Sequence, residues 1–247
     1  MRINRYLARC GIASRRKAEA LVLSGRVTKN GELVHNLATD VKSSDQICVD
    51  GSVVALLSEP ILLAYHKPRG RICSHHDPFG APIIYDQLPK EQGLFSIGRL
   101  DNDSEGLLLV TNDGKLAQRI AHPSNETEKE YIVVLDRPFT RSDANILLRG
   151  LRVEGTVMRM DAIQPFISVK EDGVWEQVLS DWPPTCTSSH IVRVILHEGH
   201  KREIRRMFAK LHYQVLRLIR IRIGSIRLEG TLAGEYRQIE CDGKEQR

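Results

Sequence analysis

The chain has 247 residues, 41% hydrophobic and 27% charged, enough apolar material for a sizeable core and too much for an intrinsically disordered chain. Its 36 lysines and arginines against 31 acids leave a formal net charge of only +5, so bulk charge is a weak argument for a polyanionic partner. Cys10, Cys48, Cys73, Cys186 and Cys241 lie far apart with no Cys-x-x-Cys pair, which predicts neither a disulfide framework nor a structural zinc site, and no run reaches the ~18 apolar residues of a membrane span, so a soluble, cytoplasmic chain is expected.

At the N-terminus Ile3, Leu7 and Cys10 recur at helical spacing and Gly11 supplies the stop. A second helix follows, with Ser14 as N-cap, Ala18, Leu21 and Val22 as its apolar stripe, and Gly25 at its end. Arg15, Arg16 and Lys17 crowd its first turn, where cations oppose the helix dipole; a bound phosphate explains them better than stability does. Residues 1–30 carry eight bases, among them Arg2, Arg5 and Arg26, against the single acid Glu19. Two short strands meet across Asn30-Gly31, a hairpin turn, and Ile47 and Val49 alternate before Asp50-Gly51 to complete a small sheet. Residues 52–60 read as a linker.

Beyond it, Ile61 to Tyr65 predicts a strand running into the turn His66-Lys67-Pro68-Arg69-Gly70. The run from Ile97 to Gly114 is the most informative of all: Gly98-Arg99-Leu100-Asp101-Asn102-Asp103-Ser104 has the composition of a loop, yet it enters Leu107 to Val110, a segment apolar enough to be a buried strand. Loops held by a rigid core are where catalytic groups concentrate. Lys129 to Leu135 reads as a strand, residues 168–189 as an irregular excursion without an assigned role, and His190 to Leu196 as a half-buried strand. Glu203 to Leu211 predicts a helix with Ile204, Met207, Phe208 and Leu211 as its core stripe. Strands outnumber helices without strict alternation, which implies an α+β fold around a mixed sheet. Residues 196–227 hold nine bases against Glu198 and Glu203; two concentrated basic stretches flanking the Asp101 loop favour a polyanionic substrate gripped at two places.

The Arg99-Leu100-Asp101 run with its following strand, the Lys67-Pro68-x-Gly70 turn before it, Glu130-Tyr131-x-Val133 after it, and Glu198 to Phe208 in that order closely resemble the pseudouridine synthases, in the branch that modifies small- and large-subunit ribosomal RNA. The N-terminal helices, Ser14 to Glu19 and Gly25-Arg26-Val27, resemble the small RNA-binding module named after the fourth small-subunit ribosomal protein. The resemblance implies two domains, that module over residues 1–59 and a catalytic domain over 60–247 with a mixed, mainly antiparallel sheet flanked by helices. It also implies site-specific conversion of uridine to pseudouridine in ribosomal RNA, with Tyr65 to Pro68, Asp77-Pro78 and Leu218 to Gly224 most similar to the large-subunit enzymes. Small-subunit RNA is the alternative substrate, and free RNA or a pre-ribosomal particle the form in which it is met. No membrane partner is expected, and the chain is taken as a monomer.

By the same resemblance Asp101 is the catalytic nucleophile or base, Tyr131 stacks on the flipped base and assists proton transfer, and Arg205 pairs with Asp101, a guanidinium fork fixing the carboxylate and keeping it ionised. Arg206 is the rival for that pairing. Arg2, Arg5, Arg15, Arg16, Lys17, Arg26, Lys67, Arg99, Lys201, Arg202 and Arg206 are the expected RNA contacts. The reaction moves one bond from a base nitrogen to a base carbon with no redox change, so neither cofactor nor metal is expected. His197-Glu198-Gly199-His200 has the wrong spacing for a zinc helix, and Cys73, His75, His76 and Asp77 read as a turn rather than a ligand set. Two other functions fit the same residues: a non-catalytic RNA-binding assembly factor, and a carboxylate-pair hydrolase using Asp101 with Asp103 or Glu105.

Overall fold

The computed structural model describes residues 1–56, 60–90, 93–165 and 187–240. Helices α1 (Ile3–Arg9) and α2 (Arg15–Leu23) open the chain. The Ser14 hydroxyl caps α2 by accepting the Lys17 N–H at 3.4 Å, and Gly25 follows at φ +70°, the left-handed stop that its sequence position implies. Strands β1 (Val27–Lys29), β2 (Glu32–Leu33), β3 (Ile47–Val49) and β4 (Ser52–Val54) form an antiparallel sheet in the order β2-β1-β3-β4. Both tight turns use paired positive φ angles, Asn30 and Gly31 in one, Asp50 and Gly51 in the other, which matches strand twist in a two-residue hairpin. The second hairpin corrects the linker reading: residues 52–54 pair with β3, because Asp50-Gly51 turns the chain back instead of ending the sheet. Ile3, Leu7, Ala18, Val22, Val27 and Ile47 are fully buried at the centre of this unit's own core.

The larger unit is a nine-stranded sheet. Its continuous path runs β11 (Ala162–Pro165), β12 (Ile191–Leu196), β8 (Lys129–Leu135), β13 (Val215–Ile223), β7 (Glu105–Thr111), β5 (Leu62–Lys67) and β15 (Tyr236–Ile239); β14 (Ile226–Arg227) pairs with β13, and β6 (Phe95–Ile97) with β7. All pairings are antiparallel except β13 with β7, so the mixed, mainly antiparallel sheet holds. β9 (Leu151–Val153) and β10 (Thr156–Met158) form a separate hairpin. Every residue of β5 and β7 is buried, and the pleat divides them by parity. Leu62, Ala64, Leu107 and Leu109 face a core completed by Leu116, Ala117 and Ile120 of α3 (Gly114–Ala121). Leu63, Tyr65, Leu108 and Val110 face the larger core, closed by Leu147 of α4 (Arg141–Arg149) and by Ile204, Met207 and Phe208 of α5 (Glu203–Lys210). Two-sided burial is why Leu107 to Val110 is an unbroken apolar run. No helix among the described residues is long and apolar enough to cross a membrane. The excursion expected at 168–189 falls mostly outside the described residues.

Candidate active site

The loop between β6 and β7, residues 98–104, is held from four directions. Strand β5 runs two residues beyond the predicted end and carries Lys67 into the interior, where it is fully buried. Its ammonium donates to the Ser104 carbonyl at 2.7 Å, to Pro68 at 3.1 Å and to Asn102 at 3.5 Å, while burial pulls its pKa down and the acids around the loop pull it up. Lys67 is therefore no RNA contact, since the strand that buries it leaves no part of it in water. Gly70 N–H adds a bond to Asn102 O at 2.8 Å, and the Cys73 thiol sits 3.4 Å from both N and O of Leu100. Lys67→Met keeps the stem but leaves buried carbonyls without a donor. We expect a loss of about 2 kcal/mol, a Tm fall of roughly 4–8 °C, and at least a tenfold drop in turnover; an unchanged Tm by calorimetry would contradict this role.

The fourth restraint comes from α5. Arg202 precedes the helix in the left-handed region at φ 53°, which swings its side chain onto the loop, and it grips Asp103 with two bonds of 3.0 Å. Arg205 donates to Asp103 O at 2.8 Å and to Val215 O at 2.9 Å, with its Nε 3.3 Å from the Asp103 carboxylate. Burial alone would raise the Asp103 pKa, but the Arg202 hydrogen bonds and the Arg205 charge hold it below the usual carboxylate range. Here the structure corrects the expected pairing: Arg205 meets Asp103, and the cation facing Asp101 is Arg202 at 4.0 Å. Arg206 points the other way, to Glu154 on the turn between β9 and β10 at 2.6 Å, which removes it as rival for that pairing.

The Asp101 carboxylate accepts no hydrogen bond among the described residues, and about a third of the side chain is exposed. It opens into a cavity of about 710 Å³ that Arg99, Ser104, Lys129, Tyr131, Lys201, Arg202, Glu203 and Arg220 also line. Tyr131 is 7% exposed, and its ring faces the Arg220 guanidinium at 6.0 Å. Asp103 and Glu105, the two candidates for a second catalytic carboxylate, are both occupied: Glu105 takes bonds of 2.9 and 3.0 Å from Arg217. Neither is left free to serve as the second member of a hydrolytic carboxylate pair. His197 bonds to Asp161 at 2.7 Å rather than pairing with His200, and His75 stacks on Tyr85 at 3.7 Å while Asp77 braces its own turn.

Of the expected RNA contacts, Arg2, Arg15, Arg16, Lys17, Arg99 and Lys201 are exposed and Arg5 is half-buried; Arg26 is exposed but paired with Asp50 at 2.5 Å. Much of the second basic stretch is matched by distant acids, Arg217 by Glu105 and Arg222 by Glu128 and Glu130. Two cavity residues, Lys129 and Arg220, escaped the sequence reading. Lys129 was discoverable, standing two positions before Tyr131 and so on the same strand face, whereas Arg220 gains its place only through the register that sets it opposite Tyr131.

Residues 61–210 match the family of RNA pseudouridylate synthases, and residues 1–47 match the S4 domain. The chain belongs to the RNA pseudouridylate synthase family. A ribosomal large subunit pseudouridine synthase B of Vibrio cholerae is 35% identical to it, covering 94% of this chain and 68% of that relative. The protein of the same name from Salmonella typhi is 35% identical over 97% and 79%, and an RNA pseudouridine synthase of Rickettsia felis is 36% identical over 96% of both chains. A crystal structure of a pseudouridylate synthase superposes with a TM-score of 0.63 at 27% identity, covering 97% of this chain and 96% of the other. Membership gives the enzyme class, RNA pseudouridine synthase, and the α+β architecture in which the Asp101 cavity lies.

Proposed function

We propose that this enzyme isomerises one or a few uridines of large-subunit ribosomal RNA, with Asp101 as nucleophile or base and Tyr131 as the platform for the flipped base. The observation that carries the site is the contrast within one loop: Asp103 is locked by two arginines, while Asp101, two residues earlier, is left free in a cavity shared with Tyr131. Arg205 then acts on Asp101 through the loop it fixes. A carboxylate fixed in place but not consumed by a partner suits a reacting group. Breaking the ribose–nitrogen bond and remaking it to carbon also requires that the detached base not escape, and a cavity walled on one side by an aromatic ring contributes to that confinement.

For the substrate, the support is the naming of relatives that align over nearly the whole chain. In our reading residues 1–59 form the RNA-docking domain and 60–247 the catalytic domain, the chain working as a cytoplasmic monomer on free RNA or a pre-ribosomal particle. The exposed Arg15, Arg16 and Lys17 pair with no acid among the described residues and would meet the RNA backbone, the kind of contact that reads shape; Arg2, Arg5, Arg99 and Lys201 extend that surface. Forming the carbon–carbon bond displaces the hydrogen on C5 of uracil, so tritium placed there reports turnover. Large-subunit transcripts labelled in this way should release tritium with the purified enzyme and small-subunit transcripts should not; the reverse pattern would reassign the substrate.

A further inference from the structure

Three residues that line the cavity each carry a buried polar atom with no hydrogen-bond partner among the described residues: Arg220 Nη2, Ser104 Oγ and Glu203 Oε1. Their residues are 4%, 1% and 4% exposed. An unmatched buried donor or acceptor is costly, and a charged one more so, so three around one cavity are groups that a bound base would satisfy. Other polar groups of the same walls are engaged. Lys129 donates to carbonyls of Thr127 and His197, and the second Glu203 oxygen accepts the His200 N–H at 2.9 Å. Arg220 is rigidly placed, its Nε bonded to Leu107 O at 2.7 Å and its guanidinium beside the Tyr131 ring.

Two donors and one acceptor are what the Watson–Crick edge of uracil requires, with carbonyls at O2 and O4 and an N3–H between them; cytosine needs the same count in a different order, with its two acceptors adjacent. We propose that these three groups read the edge of the flipped uracil, with Arg220 donating to one of its carbonyl oxygens. The inference rests on the proposed function and adds the residues that hold the edge of the base. It also gives Arg220 a place in the chemistry. When the C1′–N1 bond breaks and its electron pair leaves with the base, the negative charge of the uracil anion spreads to O2 and O4, where a desolvated guanidinium stabilises it.

A cycle between residue and substrate atom tests this. Single-turnover rates are measured for the full chain and for Arg220→Met on RNA carrying uridine, 2-thiouridine or 4-thiouridine at the target position, sulfur being a poor acceptor. Arg220→Met should slow uridine conversion roughly 10- to 100-fold with RNA affinity unchanged. One thio-substitution should slow the unmodified enzyme about tenfold and the variant hardly at all, because the contact it weakens is already gone. Equal thio effects in enzyme and variant at both positions, or a full rate in Arg220→Met, would overturn the proposal. If Arg220→Met does not fold, Arg220→Lys, which keeps the charge and loses the fork, is put through the same cycle and judged by the same coupling. Failure of the unmodified enzyme on uridine itself would instead refute the proposed function.

Discussion

Replacing Asp101 with asparagine is expected to abolish pseudouridine formation, by roughly 10⁴-fold or more, while RNA affinity and Tm stay close to those of the unmodified enzyme. The separation follows from the geometry. The carboxylate accepts no hydrogen bond among the described residues, and its nearest cation, Arg202 at 4.0 Å, is already bound to Asp103, so removing the Asp101 charge leaves no buried group unpaired. Asp103→Asn should behave differently, losing one charge-assisted pairing and loosening the loop. Tritium release with filter binding and calorimetry on the same preparations distinguishes the two. Retained turnover in Asp101→Asn would remove this residue from the reaction.

Gly106→Ala is expected to be the most damaging glycine-to-alanine change among the described residues. Gly106 stands where β7 leaves the loop, at φ +101°, and a Cβ there would lie 2.3 Å from Arg220 O and 2.7 Å from Arg220 N, both backbone atoms of the one parallel pairing in the sheet. Neither neighbour can rotate aside. Relief requires β7 and β13 to separate, which moves the catalytic loop on one side and Arg220 on the other. With steric overlap added to an unfavourable backbone conformation, we expect at least about 3 kcal/mol of destabilisation, a Tm lowered by roughly 6–12 °C or more, and turnover lost beyond what the stability change explains. A near-native melting curve with full activity would show that the strands accommodate the methyl group.

The elements of the fold were legible where their signals are local. The Ser14 cap, the Asn30-Gly31 turn, the buried run at Leu107 to Val110 and the strand at Lys129 to Leu135 all stand where spacing and turn chemistry put them. What could not be read is what depends on pairing across the sheet. Lys67 looked like an exposed cation in a turn because nothing local shows that its strand continues inward to the carbonyls of a loop 35 residues away in sequence. The dense charge of residues 196–227 looked free because its acids, Glu105, Glu128, Glu130 and Glu154, come from three other segments. Arg205 was correctly drawn to the loop, but which aspartate it meets is set by the left-handed turn at Arg202, and that conformation is uncommon for a residue other than glycine or asparagine. Arg220, one of three arginines in a strand that reads simply as apolar and basic, acquires its position only from the register against Tyr131.

The most direct test of the central claim is site-resolved pseudouridine mapping of ribosomal RNA from cells with and without this enzyme, the deletion complemented by the unmodified chain or by Asp101→Asn. One or very few positions in large-subunit RNA should lose pseudouridine on deletion, regain it with the unmodified chain, and remain uridine with Asp101→Asn. A map that does not change on deletion, or one restored by Asp101→Asn, would contradict it.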